Sequence, residues 1–366
     1  MKEYRILTIN PGSTSTKVAF FEGDRIVFRQ TVQHDAAALS QFSSVSQQKA
    51  FRTEAVTNSL TAAGVELTGL DAVVGRGGGL LPVEGGTYLI SDQLLAHAIA
   101  GANGVQHPAQ LGPQIAREIA DAYQVPAFVV NPPDVDELQD VARITGIRGI
   151  SRTVHLHALN LKETAIRHAA SLGGCYQDYR LIVCHLGGGI SVSAHCGGRM
   201  IDGFDISGGD GPMAPTRCGA VSVANLLQYV QDHGLDAAKL LCTKTGGFVS
   251  HLGTSDAKEV QDRAKRGDLE AQKLWDALIY QIGKCIGSMA VVLNGQVDGI
   301  LLGGGIACSS ELVQRLKDTC DWIAPITAYP GEFELEAMAA GAIRVLDGTE
   351  PVKQYSGAGL YVLDKH

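Results

Sequence analysis

The sequence predicts an α/β protein made of two copies of one domain facing each other, and two observations carry that prediction. The first is a long-period repeat: Thr8–Ser13 lies beside Cys184–Gly189 at an offset of 176, close to half of the 366 residues. The second is the placement of glycine. The 44 glycines cluster at strand ends, at 77–79, 187–189, 208–209 and 303–305, rather than scattering. Glycine at such points permits positive φ and close approach of backbone to a ligand.

Three strands open the chain, at Tyr4–Asn10, Lys17–Glu22 and Arg25–Gln33, with Gly23-Asp24 as a two-residue hairpin turn. The second copy reads Arg180–His185, a turn at Gly187–Gly189, Ser191–His195, a turn at Gly197-Gly198, and Arg199–Phe204. Apolar spacing predicts helices over Gln47–Ala63, Ala109–Ala122, Val154–Leu172, Leu269–Val292 and Glu311–Thr319. Short buried strands at Ala72–Val74, Ala127–Val130 and Gly299–Leu302 complete a mixed sheet in each half. No low-complexity linker separates the halves, so the boundary is set near Ser151: a first domain of 1–152 plus 336–366 and a second of 153–335.

Hydrophobic residues make up 45% and charged residues 19%, the balance of a well-packed globular protein. Net charge is −8 with Lys and Arg dispersed, which argues against nucleic acid as a partner. A small anionic substrate needs only a few local cations and stays open. Of the 8 cysteines no pair has C-x-x-C spacing, and several sit in apolar runs, as expected of buried thiols in a reducing compartment. The N-terminus enters a strand at once and no apolar run approaches the roughly 20 residues of a membrane span. A cytoplasmic protein is expected.

The turn Asn10-Pro11-Gly12-Ser13-Thr14-Ser15-Thr16-Lys17 gathers backbone N–H groups and short hydroxyls in one concavity. Alone it reads as a polar hairpin turn or as a phosphate cradle; the matching turns later in the chain favour the cradle. His185 with Gly187–Gly189, and the strand that runs into Gly303-Gly304-Gly305, offer similar backbone-rich surfaces to a nucleotide. No Walker A pattern occurs, which excludes a P-loop enzyme. Arg76, amid glycines at a strand end, and Arg217, in Pro215-Thr216-Arg217-Cys218-Gly219, have no sequence carboxylate beside them. Each either grips an anion or makes a structural salt bridge. His157, ahead of a helical run, is either a cap or a group presented from the helix start.

These residues together resemble the acetate and butyrate kinase family of the actin/Hsp70/sugar-kinase superfamily. Asn10–Lys17 matches the family's N-x-G-S-[ST]-[ST]-x-K, and Leu156-His157-Ala158-Leu159-Asn160 is similar to F-H-A-L-N. Cys184–Ser191 resembles H-L-G-x-G-x-S; Val74–Gly78 and Gly211–Gly219 resemble the two arginine-bearing segments. The resemblance implies two ribonuclease H-like domains facing a cleft, and transfer of the γ-phosphoryl group of ATP to a short-chain fatty acid, reversibly, with Mg²⁺. It implies that Arg76, His157 and Arg217 surround the phosphoryl group in transfer. Asn10, Ser13, Thr14, Ser15 and Lys17, with His185, Gly187, Gly188, Gly189, Gly303, Gly304 and Gly305, would hold nucleotide or phosphate. Asn10, Asn131, Glu332 and Glu334 would hold the metal, and a homo-oligomer, a dimer or larger, is expected.

A carboxylate acceptor is already ionised at neutral pH and needs no general base, only positive charge. Two arginines and a histidine with no obligatory aspartate suit it better than a sugar hydroxyl. A sugar or hydroxy-acid kinase, a nucleotide-switch module of the same superfamily, and an acetate-preferring kinase are the rival readings. The chain departs from the family at Asn131, where an aspartate is usual, so either Mg²⁺ binding weaker than in relatives or help from Asp134, Asp136, Glu332 or Glu334 is expected. Gly77, Gly78 and Leu156 are placed at the apolar end of the acid pocket. Gly78 stands where acetate kinases carry valine and Leu156 where an aromatic is common, so a four- to five-carbon acid is expected to be preferred over acetate.

Overall fold

A computed structural model describes residues 2–104 and 106–360, which form two compact units, residues 2–135 with 333–360 and residues 136–332. Residues 136–152, assigned by the sequence reading to the first domain, group with the second unit. Asp136 is paired there with Arg143 at 2.9 Å, and the Gln139 N–H donates to the Ile201 carbonyl at 2.9 Å.

In the first unit β1 (Arg5–Pro11), β2 (Ser15–Glu22) and β3 (Arg25–Gln33) form an antiparallel meander. The strand β4 (Ala72–Gly75) lies parallel to β1. Next come β5 (Thr87–Leu89) and β6 (Ala127–Val130), giving the order β3-β2-β1-β4-β6-β5. In the second unit β7 (Leu181–Leu186), β8 (Ile190–Cys196) and β9 (Arg199–Gly203) repeat the meander. Then β10 (Gly299–Gly304) and β11 (Ile326–Pro330) add in parallel, in the order β11-β10-β7-β8-β9. The two sheets share one plan: a three-stranded meander whose first strand is flanked by parallel strands. This is the repeated α/β architecture expected from the 176-residue offset.

The central strands of both sheets are near-continuously buried because helices cover them, whereas the edge strand β3 is mostly exposed. β7 is buried at every position. The helix Leu269–Val292 lays Leu274, Trp275, Leu278, Ile282 and Ile286 into the core of its unit at helical spacing. Asp268 caps it by accepting from the Glu270 and Ala271 N–H groups, each at 3.1 Å. In the first unit the helix Glu334–Leu346 approaches β6 closely: a side chain on Gly341 would overlap Val130. The helix expected from Val154 starts only at Ala158. Val154 and Leu156 are buried while His155 and His157 between them are half-buried, a period-two pattern that keeps these residues extended.

One contact fixes the strand that ends at Arg76. The helix Leu111–Tyr123 crosses the end of β4 so tightly that a Cβ on Gly75 would overlap the Gly112 carbonyl, and one on Gly112 would overlap the Arg76 carbonyl. Both glycines are required for this close approach. Gly112→Ala is therefore expected to destabilise the protein by about 2–3 kcal/mol, the scale of an overpacked core, read as a lowered urea midpoint with unchanged slope.

Candidate active site

In the first unit, the turn between β1 and β2 is closed by the Gly12 N–H donating to the Ser15 carbonyl at 2.7 Å. Ser13 and Thr14 are exposed, and among the described residues their N–H groups meet no acceptor. Lys17 stands on β2 opposite Asn10. The Asn10 Nδ2 donates to Glu334 Oε2 at 2.7 Å, which ties the turn's first residue to the start of the helix Glu334–Leu346.

Arg76 leaves β4 with its N–H bonded to the Ile9 carbonyl at 2.9 Å. Its guanidinium is buried, and its one contact is a long one, Nη1 to the Asn131 carbonyl at 3.5 Å. Burial pushes the Arg76 pKa down, while the charges of Glu334 and Asp134 work the other way. No ion pair neutralises it among the described residues. Asn131 has φ +38°, a left-handed conformation that asparagine tolerates. Its Oδ1 accepts the Gly86 N–H at 2.7 Å and its own N–H donates to the Gly86 carbonyl at 2.9 Å. The side chain expected at a metal is thus also a backbone clamp.

Gly77 packs against Val129 and Pro132, so it is a close-approach position rather than open pocket wall. A Cβ on Gly78 would meet the Ala109 Cβ at 3.3 Å, so the space that a larger residue would take there is bounded by Ala109 and Gln110.

The second unit gathers a denser group. His185 stands near the end of β7, buried, with its ring centroid 4.2 Å from that of His157. His157 precedes the helix Ala158–Ser171 without capping it through its side chain. Instead its Nδ1 lies 2.8 Å from the Ser191 Oγ, and its backbone N–H donates to the same oxygen at 3.2 Å. Ser191, the last residue of the H-L-G-x-G-x-S match, therefore orients the histidine, a role the sequence reading missed although the motif contained it.

Arg217 follows β9 in a loop held by the Ala214–Arg217 bridge. Its Nε and Nη1 are buried without any hydrogen-bond partner. Burial lowers its pKa and the charge of Asp205 opposes that. Gly189 is where the guanidinium rests: a Cβ there would overlap Arg217 Nη1. Expected as a nucleotide contact, Gly189 also makes room for the arginine.

Beside these groups a cavity of about 400 Å³ is lined by Gly187, Gly188, Gly305 and Glu332. Lys258, Gln261 and Ser309 also line it, and sequence reading did not single them out. Gln261 is set by donating to Ser309 Oγ at 2.7 Å. Of the glycine triplet at the end of β10, only Gly305, just past the strand, faces this space; Gly303 and Gly304 are not among its lining residues. Gly304, at φ +89°, is needed because a side chain would overlap the Leu186 carbonyl. Leu156 is buried, and a Cβ on Gly203 would lie 3.0 Å from its Cδ1. Among the described residues no cluster of three His, Cys, Asp or Glu forms a ready-made metal cage. Asp136, a possible helper at the metal, is occupied by Arg143. All eight cysteines are free thiols, and no helix among the described residues is long and apolar enough to cross a membrane.

Comparison with known proteins agrees with this layout. The model of the acetokinase family matches residues 96–321. A probable butyrate kinase of Clostridium botulinum (strain Alaska E43 / Type E3) is 44% identical over 355 residues, covering 96% of this chain and 99% of that protein. The acetate kinase of Porphyromonas gingivalis superposes with a TM-score of 0.75 at 18% identity, over 94% of this chain and 100% of its own. A propionate kinase from Francisella tularensis gives 0.70 at 18%, over 92% and 98%. The fold is that of the actin/Hsp70/sugar-kinase superfamily.

A half-buried arginine whose enclosed Nε and Nη1 have no partner among the described residues attracts an anion, and Gly189 bounds its position. Gly189→Ala is expected to displace the guanidinium and weaken phosphate binding by about tenfold, the scale of one charge-assisted hydrogen bond, in a calorimetric titration with inorganic phosphate. The far-ultraviolet circular dichroism should stay unchanged.

Proposed function

The chain belongs to the acetokinase family, and from that premise we propose that it transfers the γ-phosphoryl group of ATP to the carboxylate of a short-chain fatty acid. Butyrate or a branched four- to five-carbon acid is the preferred acceptor, and the reverse reaction makes ATP from acyl phosphate and ADP. The supporting observation is that Arg76 is a buried guanidinium and Arg217 a half-buried one with enclosed Nε and Nη1, and among the described residues neither has a carboxylate in ion-pair contact. Such groups cost stability unless an anion completes them.

The unit carrying Arg76 takes the acid, and the unit carrying the cavity at Gly187, Gly188 and Gly305 takes the nucleotide. A carboxylate oxygen attacks the γ-phosphorus, its new P–O bond forming as the bond to the ADP oxygen breaks. No proton moves, because the nucleophile is ionised and the leaving ADP is an anion. What limits the reaction is repulsion between two anions, and Arg76, Arg217 and His157 offset it. Ser191 holds His157 Nδ1 and so fixes the orientation of the imidazole.

The donors present suit Mg²⁺ bound mainly by phosphate oxygens and waters, with few protein ligands. Asn10 and Glu334, hydrogen-bonded to each other, would supply amide and carboxylate oxygens, with Asn131 and Glu332 as the further candidates. When bound, Mg²⁺ neutralises charge on the triphosphate. The same reading places the enzyme in the cytoplasm as a homodimer or larger assembly.

Hydroxylamine trapping with Mg-ATP across C2 to C6 acids tests the reading directly: acyl hydroxamate should form, most efficiently with C4 and C5 acids. No hydroxamate with any of them would overturn it. Arg76→Gln and Arg217→Gln should each lower kcat by a factor of about 10²–10³, with folding retained by circular dichroism. Gly78→Val should press on the wall at Ala109 and lower the butyrate-to-acetate kcat/KM ratio, by about fourfold for each methylene excluded. An unchanged ratio would remove Gly78 from the pocket.

A further inference from the structure

Behind the turn of the first unit lies a residue that no motif marks. Arg52, in the helix Lys49–Ala62, is fully buried. Its Nη1 donates to the Gly12 carbonyl at 2.8 Å, to the Ser15 carbonyl at 3.1 Å and to Thr16 Oγ1 at 3.3 Å. Its Nη2 donates to the Ser13 carbonyl at 3.1 Å and to Gln48 Oε1 at 2.9 Å, and its Nε also reaches Gln48 Oε1 at 3.0 Å. Every partner is a neutral oxygen. One planar fork thus gathers three carbonyls of a four-residue turn on a single side.

The back of the turn is held at a second point. The His34 N–H donates to the Thr14 carbonyl at 2.8 Å, and His34 Nε2 lies 2.8 Å from Thr16 Oγ1. The carbonyls of Gly12, Ser13, Thr14 and Ser15 are therefore all engaged, and the N–H groups of Ser13 and Thr14 are the donors left over. A turn whose carbonyls were unanchored would rotate one of them toward a bound anion and repel it.

We propose that Arg52 is a positioning residue for the transferred phosphoryl group. It turns the carbonyls of residues 12, 13 and 15 away from the ligand, and its uncompensated charge adds positive potential behind the N–H groups that remain. The inference rests on the phosphotransferase reading above and deepens it, naming the group that gives the Asn10–Lys17 turn its polarity. Gln48 orients the fork, so the arrangement is set by two residues one helical turn apart.

The test is steady-state kinetics in the ATP-forming direction, with butyryl phosphate and ADP varied separately, on wild type, Arg52→Ala and Arg52→Lys. Lysine keeps the charge but cannot bond three carbonyls through one plane. Both variants should raise the KM for butyryl phosphate about tenfold or more, Arg52→Ala the more strongly, while the KM for ADP stays within about twofold. A loss of folded protein lowers the apparent kcat but cannot raise one KM selectively. Equal KM values in wild type and folded variants, a parallel rise in both, or failure of both variants to fold would each assign Arg52 a purely structural part and overturn the proposal. A wild type inactive with both substrates would instead overturn the phosphotransferase reading, so the two failures are distinct.

Discussion

Positive charge without an ion-pair partner among the described residues, buried at Arg76 and half-buried at Arg217, is the constraint around which each half of this protein is built. An arginine cannot shed its proton to escape burial, so its surroundings must saturate it with hydrogen-bond acceptors, as at Arg52, neutralise it, or leave room for something that does. Here the surroundings leave room. Each guanidinium is reached through a glycine: the Gly75–Gly112 approach sets the backbone of Arg76, and the bare α-carbon of Gly189 lets Arg217 lie flat. Gly189 is thus explained by the cation it seats, and Gly75 and Gly112 by the close approach of helix to strand.

Duplication supplied two copies of one strand-turn-strand unit, and the copies have diverged along a clear line. The first copy keeps a hydroxyl-rich turn, closed by the Gly12 N–H on the Ser15 carbonyl, whose carbonyls are pinned from behind. In the second the turn is one residue tighter, closed by the Gly187 N–H on the Gly189 carbonyl; its glycines admit Arg217, while Ser191, opposite His185 on β8, holds His157. One strand order thus yields two unlike surfaces.

Sequence periodicity captured the strands of both meanders and the helix Leu269–Val292, because each buries a continuous apolar face. It missed β5 and β11, which are three and five residues long and carry no sustained pattern. The helix Val223–His233 buries none of its residues, so no core stripe announced it. At the candidate site, Arg76 stood out because a cation amid glycines is rare in local sequence, Arg217 because no carboxylate lies beside it, and His157 for its place ahead of a helical run and in the F-H-A-L-N resemblance. Ser191, Arg52 and Gln261 did not, since each acts through a contact 34 or more residues distant along the chain. Asn131 was read for its lost charge, whereas its clamp on Gly86 depends on a left-handed backbone that sequence does not display.

The absence of any demand for a general base has a structural consequence. A kinase acting on a hydroxyl must place an aspartate beside the acceptor, and that carboxylate would pair with a neighbouring arginine and cancel the field that draws the substrate. On the proposed reading a carboxylate acceptor removes the conflict, because the substrate supplies the negative group in contact with Arg76, on which Glu334 and Asp134 act only through space. On that reading the buried arginine is completed when acid binds, and recognition of the substrate and relief of an unfavourable burial become the same event. Selectivity for an ionised acid over a neutral alcohol of equal length follows from the electrostatics of the site, and the apolar wall near Gly78 has only chain length left to decide.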